Sequence, residues 1–514
     1  MSAPPTSFSS RDPAPTVALG PAAFTHQRRI AQVCAWTQLT LLLVFTGCWL
    51  LAPQRNDLAI ACGYLGLLGS LAPVAYMLYW GRPPLLFNAL TGFNIAPIWF
   101  LYLETVLPGH DAFEYTPANY RLEAFWWIAV FMLTVNLLYL LLRSPLSRFS
   151  VRNFSYLREV SLGPRGYCYL TLFTFVFPLV AFLGYYGSPA VLWTAISGGR
   201  VGGGSSGGLL IQDAVGDSGS LMLPVNWLFQ ATPFFGMMAV ISSRHWRSVW
   251  ALGALALSFL TVFVFFLSGS RGITMYVAAP LLFGFFYYSW DKGLKFWSVA
   301  GLLFVLAIGV MELQVRFRGN LLDVLADPEK AAREHGYRSA TTLDITESQR
   351  DNNTYLLGLI LKGYPDKYRF EGFNNFVAVI VNPIPRTFWP GKPTLIGAKD
   401  LSQQDGFVLD GPLYMGTTSL SYSIVGEAYK ARGIWGILVY AIPLTLFLVY
   451  FDALVYYTRV REELVVGLLG MSIFLAFWGF RSLFAFMTFL YPLLLIVCVL
   501  YGLALFRRLS LRIH

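Results

Sequence analysis

The chain of 514 residues is 56% hydrophobic and 17% aromatic but only 12% charged, and its mean hydropathy of +0.57 is more than a soluble domain can bury. The net charge of +10 comes from basic residues scattered between apolar runs, with no polybasic block, which argues against a nucleic-acid partner and for a loop bias across a membrane. Cys34, Cys48, Cys62, Cys168 and Cys498 all sit inside apolar segments, so neither an exterior disulfide framework nor a zinc quartet is expected, and no metal or other cofactor is assigned.

Residues 1–30 begin "MSAPPTSFSSRDPAPTVALGPAAF", rich in Pro, Ser and Ala and without the apolar core of a cleaved signal, and read as a disordered cytoplasmic tail. Residues 31–311 carry windows long and apolar enough to span hydrocarbon, which takes about 20 residues. They centre on 31–52, 58–80, 85–107, 122–142, 166–187, 223–241, 249–267, 273–289 and 296–311, giving transmembrane helices 1–9. Residues 312–433 form a long loop, and 434–514 hold three more windows (434–451, 464–480, 483–506) and a basic tail. The expected fold is therefore an all-α polytopic membrane protein with about twelve transmembrane helices and one long loop between spans 9 and 10.

The charges choose a side. Placing both termini in the cytoplasm leaves only Arg55, Arg121, Arg200, Arg271 and Arg481 for the short loops of the opposite face, as the positive-inside bias requires. The loop 312–433 is then periplasmic or extracellular, and both termini are cytoplasmic.

Within that loop, "LLDVLADPEKAAREHG" reads as an amphipathic surface helix, with Gly336 at its end. "YLLGLIL" (355–361) and "FVAVIV" (376–381) are apolar but too short to cross, so they are expected to dip into the membrane or pack on the bundle. The second run feeds into "NPIPRTFWPGKP" (382–393), where Pro383, Pro385, Pro390 and Pro393 forbid a helix. The expectation is a stiff strap from which Arg386 and Lys392 project, with Trp389 near the headgroups.

Arg271 sits in the tight turn "LSGSRGITMY" and Arg481 in "AFWGFRSLFAF", while Arg316 and Arg318 follow span 9 in "LQVRFRGN". With Arg386 they place five guanidinium groups on the face that should be depleted of them. A single arginine there is adequately explained by snorkelling to headgroups, whereas five suggest a function. Guanidinium groups donate in pairs to phosphate oxygens and stay charged when partly dehydrated, so a lipid diphosphate suits the place. The candidate diphosphate-binding set is Arg271, Arg316, Arg318, Arg386, Lys392 and Arg481.

"SGSRG" (268–272) between two spans, the long late loop, "PRTFWPGKP" (385–393) and "SIVGEAYKARGIWG" (423–436) together resemble the oligosaccharide repeat-unit polymerases of the O-antigen (Wzy) type, within the O-antigen polymerase and ligase superfamily. The resemblance covers roughly 249–506; the first half matches only as generic spans. It implies a GT-C-type glycosyltransferase in the bacterial inner membrane, and since no Asp-x-Asp pair or His/Cys cluster marks a metal, a metal-independent reaction is the simpler reading. Such an enzyme joins undecaprenyl-diphosphate-linked oligosaccharide donor and acceptor, with membrane lipid and a chain-length regulator protein as further partners, for O-antigen, capsule or exopolysaccharide. Carried over by position, it makes Arg271 and Arg386 the essential arginines. The ligase branch is discussed with a loop histidine, for which this chain has only His335 in the charged surface helix, so a ligase is the alternative, and a flippase of lipid-linked sugar a more distant one.

In such a transfer an acceptor hydroxyl attacks the anomeric carbon as the diphosphate leaves. Glu427 in "GEAY" is the candidate base, set against a plain ion pair with a nearby Arg or Lys430; Asp405 and Asp410 are alternatives. Trp389, Tyr414 and Tyr422 are the candidate sugar-stacking rings, although packing accounts for most aromatic residues at this composition.

Overall fold

A backbone in hydrocarbon must satisfy its own N–H and C=O groups, and every element along the described chain is helical, as that constraint demands. A computed structural model describes residues 20–80, 88–103, 117–160, 162–197, 219–243, 248–268, 271–289, 353–384, 388–393, 422–455 and 462–513, with scattered positions between 293 and 309. The helices are α1 (Gly20–Leu51), α2 (Asn56–Ser70), α3 (Ala72–Trp80), α4 (Ala89–Pro97), α5 (Ala118–Phe154), α6 (Gly163–Tyr186), α7 (Pro189–Ser197), α8 (Gly219–Gln230), α9 (Thr232–Ser243), α10 (Val249–Leu267), α11 (Arg271–Ser289), α12 (Asn353–Gly363), α13 (Asn374–Val381), α14 (Ser423–Asp452), α15 (Glu462–Gly479) and α16 (Leu483–Ile513).

Among the described residues nine helical stretches are long and apolar enough to cross a membrane, so the chain is a polytopic helical membrane protein. Of the other three expected windows, one is interrupted and two run beyond the described residues. Within the window 85–107 the described residues hold α4 and a π-turn over Ile98–Tyr102, together an apolar helix too short to count among the nine. The window 223–241 is two helices, α8 and α9, parted at Ala231 just before Pro233, whose ring disfavours a continuous helix. The window 296–311 lies largely outside the described residues, as does the expected surface helix 321–336.

α5 packs along α1 and α14, and α15 lies between α4 and α11. Small residues set those distances: a methyl group at Gly92 would come within 2.7 Å of the Ile473 carbonyl. Outward faces are apolar, as α6 shows with Phe173, Val176, Phe177 and Val180 and α10 with Leu252, Phe259, Leu260 and Phe263. Arg121, expected in an outer loop, is instead inside α5, 5% exposed, and donates to Asn56 Oδ1 at 3.3 Å.

Helix ends that the charge pattern assigns to one side meet in space. At the inner end of that reading, Asp452 closes α14 and accepts from the N–H groups of Ala89 (2.8 Å) and Leu90 (3.3 Å), the first turn of α4. The Tyr139 hydroxyl donates to the same carboxylate at 2.9 Å, and Asp452 is fully buried. A carboxylate on a helix N-terminus satisfies donors the helix cannot. One helical turn along α5, Asn136 and Asn94 exchange amide hydrogen bonds of 2.9 and 3.2 Å, fixing α5 against α4.

The runs 355–361 and 376–381 both pack on the bundle. α12 is mostly buried, and Asn353 Nδ2 and Thr354 Oγ1 donate to the carbonyls of Phe100 (3.1 Å) and Leu101 (3.0 Å), both within the π-turn. α13 is held on α16 by the Tyr491 hydroxyl, which donates to Val379 O at 3.0 Å and Ile380 O at 2.9 Å.

Replacing Asp452 with Ala strands three buried donors and is expected to destabilise the protein by about 3 kcal/mol. A fluorescence melt of the purified protein in detergent checks it, with Asp452→Asn falling between wild type and Ala.

Candidate functional site at the converging turns

The motif "GEAYKARGIWG" forms a helix that breaks. Arg432 is extended (φ −166°, ψ 43°) and Gly433 takes φ 56°, ψ −131°, a conformation that residues with a Cβ avoid. Past the break the chain doubles close to itself, and a methyl group at Gly436 would lie 1.7 Å from Ala428 O. Two glycines at this spacing are therefore what the break needs. The loop boundary drawn from sequence at 433/434 falls on it, although the helix itself starts earlier, at Ser423.

The carbonyls beside the break find partners in the segment after α12. Glu371 N–H donates to Lys430 O (3.2 Å) and Gly372 N–H to Ala431 O (2.9 Å). The side chains repeat the pairing: Lys430 Nζ is 2.7 Å from Glu371 Oε1, with the lysine only 2% exposed. The ammonium also lies 5.4 Å from the Tyr364 ring and 5.9 Å from that of Tyr422. Phe370 closes the group, packing edge-on to Tyr429 and behind Gly433.

Lys430 thus pairs with Glu371, and Glu427 is bound elsewhere. Its Oε2 accepts from the Leu483 N–H at 2.8 Å, the first residue of α16. A carboxylate suits that place for the same reason as Asp452 at α4. Beside it Ile424 N–H donates to Phe480 O at 3.0 Å, so the start of α14 is seated on the α15–α16 turn. Tyr422, next to both, is half-buried; the surrounding protein and then the Glu427 carboxylate push its phenol above the usual tyrosine range, keeping it a neutral hydroxyl.

Arg481 tops that turn with its guanidinium carbon 5.7 Å from the centroid of Trp478. The same indole receives the start of α11: a methyl at Gly272 would come within 2.7 Å of Trp478 Cζ2. Two of the arginine-bearing turns therefore meet on one ring. The backbone of Arg271 opens α11 one residue before Gly272, while its side chain lies outside the described residues. Arg316, Arg318, Arg386 and Tyr414 also lie outside them, as do Asp405, Asp410 and His335.

The strap corrects one expectation. Lys392 does not project: it is 8% exposed and donates to the carbonyls of Asn382 (2.8 Å) and Ile384 (2.7 Å). An ammonium at the end of α13 satisfies carbonyls the helix has run out of donors for. Lys392 is thereby a tie within the strap, which a row of prolines had hidden by suggesting stiffness enough without it. Phe388 (81% exposed) and Trp389 (41%) remain outward. The Glu371–Lys430 pair was missed altogether, although "RFEGF" places a lone carboxylate in an aromatic stretch, a signal that it needs a partner.

No family model, no curated protein and no solved structure matches this chain.

Gly436→Ala is expected to displace the break, because a Cβ cannot share space with a backbone oxygen, and to destabilise by roughly 3 kcal/mol, in the range of an over-packed core site. A substitution at Gly502, with open space around it, serves as control in the same detergent melt.

Proposed function

We propose that this protein is a membrane glycosyltransferase that polymerises undecaprenyl-diphosphate-linked oligosaccharide repeat units at the outer face of the bacterial cytoplasmic membrane. The observation that supports it is the meeting of the Arg271 and Arg481 turns on Trp478, with the Glu427 carboxylate bound two residues past Arg481, at the Leu483 N–H. Cations beside a carboxylate at a helix-bundle boundary are what transfer from a lipid diphosphate needs.

In this reading the arginines neutralise the diphosphate as its bond to the anomeric carbon breaks. Glu427 takes the proton of the attacking acceptor hydroxyl. Its Oε2 is held by the Leu483 N–H, so Oε1 is the oxygen for that proton. Arg386, carried by the strap, is assigned to the same diphosphate on the resemblance in "PRTFWPGKP". Both termini are cytoplasmic, and the fold is of the GT-C type.

The decisive measurement uses purified protein with a synthetic lipid-linked repeat unit. Elongated glycan with an equal amount of released undecaprenyl diphosphate is expected; movement of the intact lipid-linked sugar across a vesicle without elongation would make it a transporter. Arg271→Ala and Arg386→Ala should each slow elongation about a hundredfold, some 3 kcal/mol of barrier, and Lys should restore little. Glu427→Gln keeps an acceptor for Leu483 N–H and so should melt like wild type while losing elongation. If it elongates normally, the base is another residue.

A further inference from the structure

The segment from Tyr364 to Pro393 is held by three ties, one internal and two to the bundle. Lys392 ties the strap to the end of α13, Tyr491 ties α13 to α16, and Glu371 with Gly372 ties the start of the segment to the break in α14. The first two are neutral or lie within the segment. The third contains the ion pair, whose lysine is buried while Glu371 is 27% exposed, and it joins the segment to the same helix that carries Glu427, a single turn before Lys430.

Buried charges are expensive unless partnered, and removing one partner leaves the other exposed to the full desolvation penalty. The Lys430 ammonium sits between two tyrosine rings and beside the Glu371 carboxylate, so displacing Glu371 takes an ion pair away from an ammonium that is almost fully buried. The pair therefore makes one arrangement of the segment strongly preferred over others. It does so where the backbone bonds of Glu371 and Gly372 already set the register, so charge and hydrogen bonds select the same placement.

We propose that Glu371 and Lys430 are a positioning pair that docks the segment 364–393 on the break of α14, and so sets the place of the strap relative to Glu427 and the Arg481 turn. Neither side chain touches the reacting atoms. The catalytic consequence rests on the polymerase reading, whereas the docking itself does not.

The test uses full-length protein in detergent and two readouts. Limited trypsin digestion reports docking through cleavage after Lys367 and Arg369, both exposed in the fastened segment. Glu371→Gln and Lys430→Met should each speed that cleavage about tenfold by freeing the segment locally, with little change in the global melt. The double variant Lys430→Met with Glu371→Leu should be cleaved more slowly than either single variant, since it buries no unpaired charge. In the elongation assay both single variants should lose about tenfold in turnover per folded molecule with KM for the donor little changed, the pattern of a misplaced group and not of lost substrate binding.

Cleavage within about twofold of wild type in both single variants overturns the docking role, because an open segment is cut in proportion to its population. Faster cleavage with undiminished turnover overturns the positioning role. A wild-type protein that elongates nothing sinks the polymerase reading alone, and the cleavage rates still decide whether the pair docks the segment.

Discussion

A helix that breaks inside a membrane protein must hand its loosened carbonyls to new donors, since lipid offers none. In α14 the donors are the N–H groups of Glu371 and Gly372, and the Ser423 end of the helix is arranged around that exchange. It brings the segment after α12 against the helix, places Glu371 where it can meet Lys430, and frees the first two turns of α14 to sit on the α15–α16 turn. Gly433 and Gly436 are the local condition for all of it.

The two carboxylates of α14 have matching physical tasks. Asp452 at one end holds the N-terminus of α4, and Glu427 near the other holds that of α16. Each places negative charge where unpaired N–H groups collect, and each thereby fixes the position of a helix that sequence would leave free to slide. Near the Ser423 end the Leu483 N–H takes only Oε2 of Glu427, the arrangement on which the proposed proton transfer to Oε1 draws. Structural and chemical roles need not compete when the two oxygens of one carboxylate divide them.

Hydropathy was enough to find the membrane helices, because a span needs only length and apolar content. It misjudged the window 223–241, where Pro233 interrupts the pattern without changing its average. The arginine turns at 271 and 481 were legible from charge placement. Their meeting on Trp478 was not, since contact between distant turns depends on how α11 packs on α15. Lys392 was misread for a related reason: its partners are carbonyls, which leave no mark in a sequence. The spaced glycines of "GEAYKARGIWG" read as a motif, but the physical demand behind them became visible only with the backbone angles at Gly433.

The break at Arg432 and Gly433 also divides α14 mechanically. A continuous helix anchored at both ends would transmit any tilt of its outer end to the Asp452 anchor, straining the grip on α4. With the break between them, the stretch from Ser423 to Ala431 and the stretch from Ile434 to Asp452 are two levers sharing a pivot at Gly433. The Ser423 end and the Asp452 anchor are thus not joined by one unbroken helical rod.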